Sequence, residues 1–401
     1  QWGSGRRSKR GTKAALLMSG DDGMVQTALI APLLASIAVA YPAADILLVD
    51  TAMSITATAM IPAMLLTSFL ARFINKKHLI MFGTALFMTA GVTAMFAPSI
   101  EALIAWRAVL GIGAGMAFPL VPSSIAYLFV QEESNQMLGW MNAVGALLSF
   151  TLSMAAGWIA LLNWKYAFLF YLIFVPVLIL QGIFLPNFKP ERVEEREGST
   201  LREPLNGKML LACICMLLFM ILAMVSTFRL SFLVELNGIG DSSVSGAATS
   251  CMTCASFLIS CFFVHYLNFA KRFAPCLSIF FAFMAFFVLS NANAAWMAYA
   301  GMALQGLSMG TLNPFLMSYM SKVAPDSRKT LGMTLMCICQ LAGQIFTPYY
   351  IMAVTAMGFA SDTQLFSATG AVFGFIVVVL FIFAVVFTAK EKRESKESKA
   401  C

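Results

Sequence analysis

Five ionisable residues stand inside long apolar runs, where their chemistry would be unusual. Asp21 and Asp22 are adjacent in SGDDGM, Asp50 lies in ADILLVDTAM, Arg107 in WRAVLGIGAGM and Arg229 in MVSTFRLSFLVEL. A charged side chain costs about 2.5–3.5 kcal/mol at the centre of a membrane helix, so each one marks a candidate site. A carboxylate in dry surroundings binds its proton more tightly and becomes able to exchange it. A guanidinium fork suits a planar carboxylate or another anion. The chemistry on offer is proton exchange and anion recognition rather than bond making.

The elements that must position these groups are membrane helices. The chain is 60% hydrophobic and 11% charged, with a mean hydropathy of +0.83, whereas roughly a quarter of a soluble domain is charged. About 20 apolar residues cross a bilayer. Twelve such segments are predicted, at 13–41, 45–70, 78–97, 100–129, 136–161 and 164–186, then at 208–236, 243–268, 273–293, 295–322, 328–356 and 362–389; they are called spans 1 to 12. The fold class is therefore an all-α membrane protein of twelve transmembrane helices.

Charge patterning orients them. Twenty-three of the 26 lysines and arginines fall in the two tails and the even-numbered loops, and the other side has essentially only Lys165. The positive-inside rule places the basic side, with both termini, in the cytoplasm. The domain reading is a cytoplasmic tail at 1–12 (residues 1–5 read as an expression remnant), a six-helix bundle at 13–186, a linker at 187–207, a second bundle at 208–389 and a tail at 390–401. The first apolar run follows basic residues as a signal peptide's would, but it is too long and is read as a retained span.

The two halves echo each other. LGIGAGMAFPLVPSSIAYLF in span 4 resembles LQGLSMGTLNPFLMSYMSKV in span 10, with Pro119 matching Pro314. Parallel six-span repeats with a site between them are one transporter architecture. On these residues the chain resembles the major facilitator superfamily, and the likeness covers nearly its whole length. WRAVLGIGAGMAFP resembles the family's fourth-span motif and LNWKYAFLFYLIFVP its entry into span 6. In SFLARFINKKHLI, Leu70, Lys76 and Lys77 match the signature loop between spans 2 and 3, while Arg72 replaces its usual aspartate. That aspartate is thought to latch the cytoplasmic gate, so Glu132 or Glu133 is the candidate partner for Arg72 instead. The general pattern most resembles the bacterial drug- and metabolite-exporter branch, although LSMAAG keeps only Gly157 of that branch's fifth-span motif.

Depth counting at about 1.5 Å per residue sorts the charges. Arg107, Arg229 and Asp50 come out at one level, roughly 8–12 Å from the outer end of their spans. The resemblance turns spans 1, 4, 7 and 10, and so Arg107 and Arg229, toward a central cavity. Two alternatives stand for this set: an anion clamp, or a strut in which Asp50 pairs with Arg107 and Arg229 bonds backbone carbonyls. Asp21 and Asp22 lie about 15 Å or more further in, too deep to pair with Arg107. Gly20 and Gly23 loosen the helix around them. One of them, preferably Asp22, is the candidate proton carrier; the alternative is that both line the cytoplasmic mouth. Gln26, Gln305 and Gln344 are the neutral residues expected to complete a substrate site.

Other signals are set aside. GIGAG is followed by no Lys-Ser/Thr and reads as helix packing. The nine cysteines imply no disulfide framework, and neither His78 nor His265 has a metal partner in the sequence. No motif calls for a cofactor, a metal, a nucleic acid or catalysis. The expected function is secondary active transport of a small organic solute across a bacterial cytoplasmic membrane by a monomer, by alternating access and as proton-coupled export. The alternatives are organic-anion uptake or exchange on Arg107 and Arg229, and a sensor-like relative that does not transport.

Overall fold

The computed structural model describes residues 6–19, 22–42, 44–71, 73–129, 131–187, 207–270, 273–324, 329–359 and 361–397. These residues are almost entirely helical, with no strand among them. Span 1 comprises helices Arg6–Ser19, Asp22–Ile30 and Leu34–Ala40, with a 3-10 turn at Ala31–Leu33. Span 2 is Ile46–Leu70, span 3 Lys76–Thr93, span 4 Ile100–Ala117 continued by Leu120–Leu128, and span 5 Gln131–Asn163. Span 6 is the 3-10 stretch Trp164–Ile173 followed by Phe174–Phe184. The second half runs Gly207–Leu236, Ser242–Cys261 with Phe263–Ala270, Ala274–Ser290, Ala295–Val323, Lys329–Ala356 and Asp362–Glu397 for spans 7 to 12.

Eight helical runs are long and apolar enough to cross a membrane, and Val25–Ala40 and Ala274–Ser290 are shorter apolar helices. The longest run, Ala143–Phe184, turns at Asn163, whose extended backbone caps the next segment, and so makes two crossings. With the 29-residue helix Ala295–Val323 the twelve spans are complete. Two segments read as tails prolong helices: span 1 begins at Arg6 and span 12 runs to Glu397. Arg, Lys and Glu are good helix formers, so charge ends the membrane segment without ending the helix.

Within each half one packing register repeats. A Cβ on Gly111 would meet the Thr56 carbonyl oxygen at 2.3 Å, and one on Gly306 would meet that of Met252 at 2.1 Å. One turn further, Gly115 lies against Met60 and Gly310 against Ser256 in the same way. Spans 4 and 2, and spans 10 and 8, therefore touch backbone to backbone in matching registers. Four residues before the first glycine the match fails: Arg107 stands where the second half has Met302, and both are fully buried.

The halves meet along seams near the face opposite the basic loops, here the distal face. Between spans 5 and 8, the Ser153, Ser242 and Ser250 hydroxyls donate to the carbonyls of Gly246, Gly157 and Phe150, at 3.3, 3.1 and 2.8 Å. Gly157 and Gly246 make this approach possible, since a Cβ on either would lie 2.9 Å from the other's Cα. Between spans 1 and 7, Ser231 donates to the Ala31 carbonyl at 3.3 Å and accepts from the Ala35 N–H at 3.2 Å.

Span 8 starts on a side-chain cap. Asp241 accepts from the Ser243 N–H at 3.0 Å and from its hydroxyl. The Ser243 hydroxyl holds this carboxyl below the ordinary aspartate range. A depressed pKa stabilises the fold above the unfolded value near 3.9 and ceases to do so as pH falls through the folded value. Asp241→Ala is expected to cost about 0.5–2 kcal/mol at neutral pH. Thermal unfolding should show that deficit shrinking below about pH 4.

Candidate functional site

Arg107 is the deepest charge in the first half. Its Nε donates to the Ala52 carbonyl of span 2 at 2.5 Å, and Nη2 to Gln26 Oε1 and O of span 1 at 3.0 and 3.4 Å. The Tyr171 hydroxyl of span 6 lies beside the guanidinium, and Nη1 has no hydrogen-bond partner. These partners all belong to the first half. Gln26 passes the network on, because its Nε2 donates to Thr27 at 2.9 Å, and Gln344 of span 11 donates to the same hydroxyl at 3.4 Å. Gln305 donates to the Ala223 carbonyl of span 7 at 3.2 Å, leaving its Oε1 buried and unpaired.

Arg229 and Asp50 meet across the halves. Nη2 stands 2.6 Å from Oδ2, with the side chains 7% and 1% exposed. The guanidinium also lies over the Phe232 ring at 5.0 Å. Depth counting put the two at one level; the structure makes them partners, so Asp50 pairs with Arg229 and not with Arg107. Span 2 explains the division. Residues 50 and 52 point about 200° apart on a helix, so one face offers a carboxylate to span 7 and the other a carbonyl to span 4. Glu235, Asp362 and Tyr171 extend the polar set and were not singled out from sequence. Ser36 donates to Glu235 Oε2 at 3.4 Å. Glu235 and Asp362 carried a weaker signal than Asp50, a carboxylate at the end of an apolar run and not inside it; Tyr171 carried none.

Around the distal face, down to the level of Asp50, the described residues carry Asp45, Asp50, Glu101, Glu235, Asp241 and Asp362 against Arg107, Arg229 and Lys165. This mouth is acidic, and its field draws cations and repels anions.

At the basic face Lys76 donates to Ser123 at 3.0 Å and Lys77 to the Gly182 carbonyl at 2.8 Å. These bonds tie span 3 to spans 4 and 6 of its own half. Glu133, expected with Glu132 as a candidate partner for Arg72, pairs with Lys13 of span 1 at 2.5 Å. Arg72 and Asp21 lie outside the described residues, as do the side chains of Glu132 and Asp22.

The sequence profile of the Major Facilitator Superfamily matches residues 14–348. The chain belongs to that superfamily, a class of membrane transporters. It is 30% identical over 136 residues to the multidrug transporter protein MdtP of Bacillus subtilis (strain 168), covering 34% of this chain and 24% of that one. It is 32% identical over 117 residues to the arabinose-proton symporter of Escherichia coli (strain K12), covering 28% of this chain and 24% of the symporter. The match thus spans about a quarter of each relative's length. Among solved structures, the nucleoside transporter NupG superposes with a TM-score of 0.74 at 13% identity, over 94% of this chain and 99% of its own. A D-xylose-proton symporter gives 0.70 at 14%, over 93% and 96%. These structures share the fold.

Proposed function

We propose that the protein is a secondary transporter that moves a small organic solute across the bacterial cytoplasmic membrane by alternating access, as proton-coupled export. The observation that carries this reading is the Asp50–Arg229 pair, a buried ionic contact between the two halves on the distal side. Breaking it must accompany any opening toward that side. With the basic loops cytoplasmic, the distal face is the outer one and both termini are inside. The acidic mouth favours neutral or cationic solutes over anions as cargo, because its field draws cations and works against capturing an anion. Gln26, Gln305 and Gln344 supply uncharged hydrogen-bonding groups for the solute. The multidrug and proton-symporter relatives support export and proton coupling as the modes to test first. The protein acts as a monomer in lipid, with Lys76, Lys77, Arg72, Glu132 and Glu133 organising the cytoplasmic gate.

Asp22, or its neighbour Asp21, is the proton carrier on the cytoplasmic side. In proteoliposomes a pH gradient should drive solute movement that a protonophore abolishes. Asp22→Asn should lower the driven flux by about tenfold or more, the scale of one lost coupling of about 1.4 kcal/mol, while sparing solute exchange at equal pH. Full driven flux in Asp22→Asn would remove Asp22 from this role. A thermal-shift screen of organic acids, cationic drugs and sterol-like amphiphiles would find the solute class through stabilisation of the folded state.

One observation favours a second reading, transport of an organic anion. Arg107 Nη1 is buried and makes no well-formed hydrogen bond, with only the Tyr171 hydroxyl beside the guanidinium, and no acidic side chain bonds it among the described residues. If Arg107→Gln and Arg229→Gln leave the flux of an anion unchanged, that reading is lost.

A further inference from the structure

Asp362 is a charged group that the closed distal seam does not engage. It is the first residue of span 12 and is half-buried. Spans 12 and 7 pack together, and the carboxylate lies within electrostatic range of both Arg229 and Asp50. Arg229 spends only one nitrogen on Asp50, and its Nε is buried with no hydrogen-bond partner. The Phe232 ring beneath the guanidinium is a face on which it can turn while staying stacked. Arg229 and Asp362 belong to the second half, and Asp50 to the first.

We propose that Asp362 is the second partner of Arg229: the guanidinium holds Asp50 while the distal face is closed and passes to Asp362 when it opens. The physical reason is the cost of the alternative. Removing one partner from a buried ion pair leaves an uncompensated charge and is strongly unfavourable. An acceptor carried by the same half moves with Arg229 and keeps it paired in both states. The position also suits a carboxylate, because the first turn of a helix stabilises negative charge.

The other acids at this mouth do not serve. Glu235 lies six residues from Arg229, about 240° around span 7, and so points to another side of that helix; its bond to Ser36 crosses the halves and exists in the closed state. Asp45 is exposed and caps span 2, in the half that moves away. Asp241 is held by Ser243. On opening, Asp50 is left in the widening cleft with water, Asp45 and no arginine, free to take a proton or a cation from outside. Asp362 is thus a positioning residue, acting through Arg229.

The inference rests on the alternating-access reading, and one experiment separates their failures. Spin labels at Leu162→Cys and Leu236→Cys, two exposed distal ends in opposite halves, would report the gap by pulsed electron resonance. The sample is the full chain in lipid nanodiscs with its native cysteines replaced, measured at acidic and neutral pH. Wild type should give a short and a long distance. Asp50→Asn should raise the long-distance fraction several-fold, and Asp362→Asn should lower it several-fold and slow transport. Asp362→Glu should keep the wild-type distribution, and Asp362→Gln replaces Asp362→Asn if the latter fails to fold. Two wild-type distances with Asp362→Asn unchanged, or shifted toward the long one, would overturn the exchange alone. A single short wild-type distance at every pH would overturn alternating access together with it.

Discussion

Gly157→Leu is expected to hold the distal face open. A Cβ at this position would stand 2.4 Å from the Ser242 carbonyl oxygen and 2.9 Å from the Gly246 Cα. Both are backbone atoms of a helix in the other half, so they cannot swing aside as a side chain would. Overpacking of this kind costs about 1–3 kcal/mol. The cost falls on the closed state alone, because separated helices leave room for the new side chain. Such a difference shifts a two-state equilibrium by about 5- to 150-fold. The long distance between labels at positions 162 and 236 should dominate, the thermal midpoint should change little, and net transport should fall because closure is impeded. Gly182→Ala is the control, since its new Cβ would meet only the Met81 methyl at 3.6 Å. A wild-type distance distribution in Gly157→Leu would mean that this seam does not set the state of the gate.

Arg107→Met is expected to separate stability from transport. The substitution installs the residue that the second half carries at the same place in its register, Met302, against Ala248 where the first half has Ala52. It removes a buried guanidinium that finds carbonyl and amide oxygens but no carboxylate among the described residues. Replacing buried ionic groups by apolar ones of similar size is often neutral or stabilising, and the unpaired Gln26 Oε1 offsets part of any gain at about 1–3 kcal/mol. The folding free energy should stay within about 2 kcal/mol of wild type, while flux falls by about tenfold or more if a coupling of about 1.4 kcal/mol is lost. Arg107→Lys should recover little, because a point charge cannot hold Ala52 and Gln26 as a fork does. Thermal unfolding and proteoliposome flux, read side by side, decide it. A large loss of stability in parallel with flux would make Arg107 a strut.

The spans, the basic face and the matching glycines were legible because each follows from a pattern along one helix: length, charge bias or spacing. Depth along a helix was legible too, and it set Asp50, Arg107 and Arg229 at one level. Direction around the helix was not. Which of two arginines Asp50 would meet depends on how span 2 is rotated, and Arg107's main partner is a carbonyl, which every residue has and no residue type reveals. The serines of the distal seam were illegible for a related reason. A serine in an apolar helix can bond its own preceding turn or a neighbour's backbone, and Ser250 does both, reaching Phe150 and Gly246 at 2.8 and 2.9 Å. Glu235 and Asp362 were passed over because carboxylates at span ends read as loop residues until a partner appears beside them.

Ser231 carries a consequence for the proposed substrate site. Its hydroxyl bridges the Ala35 N–H and the Ala31 carbonyl, the two groups an α-turn would join, where span 1 instead makes a 3-10 turn around Pro32. When span 7 withdraws, the two groups are left facing each other, and span 1 can close the turn with its own bond. A 3-10 turn that relaxes into an α-turn there rotates everything below it. One to two turns below stand Gln26 and Thr27, which grip Arg107 and Gln344. The closure of the distal seam and the proposed solute shell are thus linked through one helix's winding, and solute affinity is expected to differ between the two faces.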